Sequence, residues 1–171
     1  MKYFIGLKIP KNYKNKIEML RAEFKFYTTE PHITLVPPPA LPDDDSFIKE
    51  ISEICKKNHP FDIKLGQLCS FGNRVLYIDV YSPELLNLYE TIFDKLNLKK
   101  EKRKFVPHLT IVKQRPKKHI DIDFIKKRAE QTLIPSPNFT SNSIIIYQQP
   151  KEKSIYLPYM KIPLEHNKTM D

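Results

Sequence analysis

Pro31-His32-Ile33-Thr34-Leu35 and Pro107-His108-Leu109-Thr110-Ile111 are two copies of one pattern: proline, histidine, apolar residue, threonine, apolar residue. Along a strand successive side chains point to opposite faces, so a His and a Thr two residues apart share a face. Ile33 and Leu35, and Leu109 and Ile111, then point the other way, into a core. Each strand anchors itself by one face and presents an imidazole beside a hydroxyl on the other. Chance pairing of five histidines with eight threonines in 171 residues gives about 0.2 His-x-Thr triplets. Two occur, each preceded by Pro.

Around each copy the same series of elements can be read. In the first half, Tyr3, Ile5, Leu7 and Ile9 alternate with Lys2 and Lys8, a strand over Lys2 to Ile9 that Pro10 ends. A helix fits Asn12 to Phe24, then the motif strand His32 to Val36, which Pro37, Pro38 and Pro39 stop. Asp43, Asp44, Asp45 and Ser46 suit the start of a second helix, whose apolar face is Phe47, Ile48, Ile51, Ile54 and Cys55. Phe61 to Cys69 and Val75 to Tyr81 read as strands joined through the turn Phe71-Gly72-Asn73-Arg74.

The second half follows suit. Ser82-Pro83 opens a helix bearing Leu85, Leu88, Tyr89, Ile92 and Leu96, followed by the motif strand Val106 to Lys113 and a helix near Asp123 to Leu133. Strands at about Phe139 to Tyr147 and Ser154 to Ile162 close the chain, and Pro158 assigns the last to an edge or a bulge. His166 to Asp171 reads as a flexible polar tail. The expectation is one α/β (α+β) domain of two similar halves, about 1–73 and 74–165, related by a pseudo-twofold axis. Such an axis brings both His-Thr faces into one groove.

Composition narrows the chemistry. Gly6, Gly66 and Gly72 are the only glycines, too far apart for a glycine-rich phosphate loop, which excludes a Rossmann fingerprint or P-loop. Lys and Arg number 29 against 20 Asp and Glu, a net charge of +9, which favours a polyanionic partner such as RNA or a nucleotide. Cys55 and Cys69 lack CxxC spacing and read as free thiols in a reducing cytoplasm. No apolar run reaches signal-peptide or membrane-spanning length, so a cytoplasmic protein without membrane association is expected. Neither motif offers a third metal ligand, and no metal or cofactor is expected.

The chain resembles the 2H phosphoesterase superfamily, which includes bacterial 2′-5′ RNA ligase-like proteins and RNA 2′,3′-cyclic phosphodiesterases. The resemblance rests on the strand ending in Ile9-Pro10, the two His-x-Thr motifs and the paired C-terminal strands. It is nearest to the small bacterial members with Phe-Val-Pro-His in the second half. It implies a bilobal fold with antiparallel sheets around a central groove and helices outside. It implies that His108 activates water and His32 protonates the departing ribose oxygen, while Thr34 and Thr110 donate to the phosphoryl oxygens. Histidine is the side chain whose ordinary pKa, about 6.5, suits both tasks near neutrality.

Lys113, three residues beyond the second motif and opposite Thr110 in face by strict alternation, and Arg115 are candidate substrate contacts, since family members often carry a basic residue there. Lys99 to Lys104 and Lys113 to Lys118 are basic segments suited to guiding an RNA backbone. Tyr156 is a candidate for stacking on a base. His59, His119 and His166 lack a Thr two residues on and read as structural or surface residues. The expected activity is metal-independent hydrolysis of 2′,3′-cyclic or 2′-5′ phosphodiesters in RNA ends or small nucleotides. Hydrolysis of cyclic or 2′-5′ oligonucleotide immune signals is an alternative, and a non-catalytic RNA-binding module is another of a different class. No energy source for ligation is visible, no protein partner is evident, and a monomer is expected.

Overall fold

The computed structural model describes residues 1–165; the tail 166–171, with His166, lies outside the described residues. The elements are β1 (Lys2–Lys8), α1 (Lys11–Glu23), β2 (His32–Val36), α2 (Ile48–Lys56), β3 (Phe61–Phe71), β4 (Val75–Tyr81), α3 (Pro83–Lys95), β5 (His108–Lys113), α4 (Ile122–Leu133), β6 (Asn138–Ser141), β7 (Ser143–Gln149) and β8 (Leu157–Pro163). A short 3-10 turn, Pro38–Ala40, follows β2. The β-α-β-α-β series read from the sequence is present twice.

All strands lie in one antiparallel sheet of order β6-β3-β4-β5-β2-β1-β7-β8. Its middle is its weakest seam, because β2 and β5 meet through one bridged pair, Ile33 with Leu109. Two four-stranded wings spread from that seam. Each wing draws on both halves of the chain: β3 pairs with β4, and β7 pairs with β1. The third strands are exchanged between the halves.

Phe139 to Tyr147, expected as one strand, is two. Ser141 ends β6 against β3, and Ser143 begins β7, six places away in the sheet. Adjacent Cα atoms are about 3.8 Å apart, so the residue between them, Asn142, can span only a short gap. The sheet must therefore curl until that edge approaches β7, as a half-barrel does. The polar run Ser141-Asn142-Ser143 is where the alternation breaks. Pro158 does sit on an edge strand, β8.

The helices pack on one face of the sheet, where one cluster gathers their apolar residues with Ile5, Leu7, Ile33, Leu35, Ile78 and Leu109. Burying each such side chain contributes about 1.5–3 kcal/mol. Ser82 caps α3, its hydroxyl accepting from the Leu85 amide at 3.2 Å. The acidic run does not cap α2: Asp44 accepts from the Ser46 amide at 3.0 Å, a turn that precedes the helix. Among the described residues no helix is long and apolar enough to cross a membrane.

Candidate active site

The seam decides where the motifs meet. With Ile33 opposite Leu109, the register sets His32 across from Thr110 and Thr34 across from His108, all four on the face away from the helices. Ile33 and Leu109 are fully buried, and the four polar side chains are half-buried. Both histidines are held alike. His32 Nδ1 lies 2.6 Å from the Glu30 carbonyl and His108 Nδ1 lies 2.8 Å from the Val106 carbonyl. A carbonyl only accepts, so Nδ1 carries the proton and Nε2 is left for chemistry. The intervening Pro31 and Pro107 fix the extended approach that turns each carbonyl back.

Just beyond each threonine the ladder slips by one residue. Gly6 pairs with Thr34 but Ile5 with Val36; Tyr77 pairs with Thr110 but Leu76 with Val112. Leu35 and Ile111 are the extra residues of two matching β-bulges. The second bulge corrects the expectation for Lys113. Strict alternation sets it opposite Thr110, yet it pairs with Val75, which is two residues from Tyr77, so it shares the face of Tyr77, Thr110 and His108. A bulge also leaves backbone groups unpaired. The buried Arg21 of α1 donates to the Thr110 carbonyl at 2.9 Å, the Ile111 carbonyl at 2.8 Å and the Thr29 carbonyl at 3.0 Å. It thereby ties β5 to the segment entering β2 beneath the seam.

The surroundings of the two histidines differ. The His32 ring lies 4.7 Å from Phe4 and 5.3 Å from Tyr147, two rings that stack on each other at 4.5 Å. Desolvation lowers the His32 pKa to about 4, with Arg21 pushing the same way and the Glu30 bond opposing. His32 is therefore neutral at neutral pH. Glu30 accepts from the Tyr147 hydroxyl at 3.0 Å and pairs with Lys14 at 3.2 Å. Gly6, opposite Thr34, is needed for close approach: a Cβ there would stand 2.9 Å from the Ile33 carbonyl oxygen and 3.3 Å from both Phe4 and Tyr147. His108 is flanked edge-on by Phe71 at 5.7 Å and Tyr77 at 5.5 Å, and Asp79 is its cross-strand partner.

Arg115 and Tyr156 are engaged within the protein. Arg115 stacks its guanidinium over Phe26 at 4.5 Å and donates to the Tyr27 carbonyl. Tyr156 packs edge-on to Phe4 at 5.0 Å, closing the rings beside His32. In the basic segments, Lys100 pairs with Glu90, Lys118 donates to the Phe24 carbonyl, and Lys102, Arg103 and Lys104 are exposed. His59 Nδ1 lies 2.9 Å from the Pro60 carbonyl, and His119 is exposed. Sequence reasoning missed Arg21, although a charged residue four beyond Ile17 on an apolar stripe was its signal. It also missed Phe71 and Tyr77, whose positions depend on the pairing of β3 with β4. A shallow depression of about 490 Å³ lined by Asp62, Lys64, Tyr81, Glu84, Asn138 and Thr140 contains no histidine.

The model of the 2′-5′ RNA ligase superfamily matches residues 10–152. An RNA 2′,3′-cyclic phosphodiesterase of Methanocaldococcus jannaschii is 30% identical over 176 residues, spanning 89% of this chain and 99% of that protein. Among solved structures, TT0787 of Thermus thermophilus aligns with a TM-score of 0.64 at 14% identity. LigT of E. coli complexed with 3′-AMP aligns with a TM-score of 0.61 at 16% identity. Each alignment covers 96% of this chain and 98% of the other. At those identities the likeness is one of fold.

Proposed function

The chain belongs to the 2′-5′ RNA ligase superfamily, and on that premise we propose that it is a phosphodiesterase hydrolysing 2′,3′-cyclic or 2′-5′ linkages in RNA ends or small nucleotides. The observation that carries this is the pair of histidines on one sheet face, each with Nδ1 tied to a carbonyl two residues back. Two imidazoles offering Nε2 to one groove divide the work of general base and general acid. Water attacks phosphorus as one histidine takes its proton, and the other gives a proton to the leaving ribose oxygen. Thr34 and Thr110 donate to the phosphoryl oxygens, where negative charge grows. Lys113, on the same face, adds a positive charge.

The protein's own electrostatics favour a division opposite to that implied by the family resemblance. His32, held neutral by burial, enters the cycle ready to accept a proton, and His108 serves as donor. A cyclic phosphate with sulfur in place of the leaving oxygen distinguishes the two divisions, because a thiolate departs without an acid. On that substrate His108→Ala should recover most of its lost rate and His32→Ala should not; the opposite pattern restores the other division.

The activity itself is tested by screening purified protein against 2′,3′-cyclic nucleotides, RNA with a cyclic-phosphate end, 2′-5′ oligoadenylate and cyclic dinucleotides, with products resolved by mass. Turnover of the first two, lost in His32→Ala and His108→Ala, is the expected result. Silence on all four removes the phosphodiesterase and leaves an RNA-binding module.

A further inference from the structure

Each motif histidine stands beside a stacked pair of rings, and the pairs come from corresponding strands on either side of the seam. Beside His32 the rings are Phe4 of β1 and Tyr147 of β7, 4.5 Å apart and 10° from parallel. Beside His108 they are Tyr77 of β4 and Phe71 of β3, 4.2 Å apart and 19° from parallel. In the sheet order β1 and β4 occupy matching places, as do β7 and β3.

The first pair is closed. Phe4 and Tyr147 are 4% and 0% exposed, Tyr156 covers Phe4 edge-on, and the Tyr147 hydroxyl is spent on Glu30. The second pair is open. Phe71 is 45% exposed at the end of β3, where Gly72 turns the chain with a φ of 56°, and Tyr77 is half-buried. An aromatic face left in water forgoes the burial that its twin obtains. This one adjoins the candidate acid-base pair, and Lys113 lies on the same sheet face, paired with Val75, itself the partner of Phe71.

We propose that the Phe71–Tyr77 pair is the platform on which the nucleobase attached to the reacting phosphate stacks, so that the site reads one base, on the His108 side only. The proposal rests on the phosphodiesterase reading and deepens it. Its ligand class is the nucleoside 2′,3′-cyclic phosphate, free or at an RNA end. A phosphate held between His32 and His108 carries its nucleoside toward one wing or the other, and of the two stacked pairs the one on the β3–β4 wing has the exposed face. Stacking recognises a π-surface and tolerates any base, with purines favoured by their larger area.

The test compares adenosine 2′,3′-cyclic phosphate with a base-free methyl riboside 2,3-cyclic phosphate, using wild type, Phe71→Ala and Phe71→Tyr. Wild type should prefer the nucleotide, chiefly through KM. Phe71→Ala should reduce the nucleotide-to-base-free ratio of kcat/KM by about five- to 150-fold, the range of one base–aromatic stack. Phe71→Tyr, which keeps the ring, should restore it. Damage to the fold or to His108 would lower both substrates together and leave the ratio in place. A wild-type protein with no preference, or a ratio that survives Phe71→Ala, overturns the platform and leaves the phosphodiesterase standing. No turnover of either substrate by wild type overturns the phosphodiesterase and the platform with it.

Discussion

Tyr13, Ile17, Leu20 and Arg21 are the buried residues of α1, and Leu85, Tyr89, Ile92 and Phe93 recur at the same spacing in α3. Three positions exchange one apolar or aromatic residue for another. The fourth sets a guanidinium against a phenyl ring. The two helices thus share a spacing while differing in charge at one position, and Arg21 spends that charge under the seam, on the Thr110 and Ile111 carbonyls of β5 and the Thr29 carbonyl before β2. His32 lies among buried rings with Arg21 near by; His108 lies beside an open ring pair and across from Asp79. Repetition of backbone positions two like side chains, and the unlike surroundings act on each separately: burial among the rings favours the neutral form of His32.

If the wings divide one reaction, removing either histidine should cost on the order of a hundred- to ten-thousand-fold in kcat/KM. The double variant should lose far less than the product of the singles, since both serve one transition state. Multiplicative losses in steady-state kinetics would break the pairing of the wings. Next in size is the exchange of cation for ring. Arg21→Met leaves the Thr29, Thr110 and Ile111 carbonyls without their charged donor and should cost about 3 kcal/mol in urea unfolding. A cost below about 1 kcal/mol would show that the bulge does not need it.

The third effect is one of pH. The His32 pKa is about 4 in the folded protein against an ordinary value near 6.5, so the unfolded chain takes up this proton first on acidification. Stability from this group is full above about pH 6.5 and is lost as pH falls toward 4, by about 1–3 kcal/mol for a half-buried ring. His32→Gln should flatten that part of the pH–stability curve measured by denaturant titration. An unchanged slope would mean that the ring is not held neutral. The smallest contrast is between glycines. Gly6→Ala should cost about 1–3 kcal/mol, because the methyl meets the Ile33 carbonyl oxygen at 2.9 Å. Gly66→Ala meets Asp79 at 3.6 Å, an ordinary contact, and should change the melting temperature little.

Alternation in Lys2 to Ile9 and in the two motif strands was readable because a strand's face follows from its own residues. Partners were not, since alternation says which way a side chain points and not which strand lies beside it. Hence the exchange of β3 and β7, and the division of Phe139 to Tyr147 at Asn142, emerge only in the sheet. Lys113 shows the same limit at one residue: a bulge at Ile111 resets the face of everything beyond it. His32, Thr34, His108 and Thr110 were legible as a set because the motif repeats. The open rings beside His108 were not, because Phe71 and Tyr77 become neighbours only through the β3–β4 hairpin.

The exchanged strands also bear on how the molecule is made. Ile5 pairs with Ile146, so β1 waits for nearly the whole chain before its second neighbour exists. Closing so long a loop is entropically costly, and contacts of this separation slow folding. By contrast β3 and β4 form a local hairpin, and β5 joins it from within about thirty residues. During synthesis the His108 side can therefore assemble while the His32 side still lacks a strand. Until β7 arrives and docks on β1, a nascent chain already carrying both histidines lacks the Tyr147 ring beside His32.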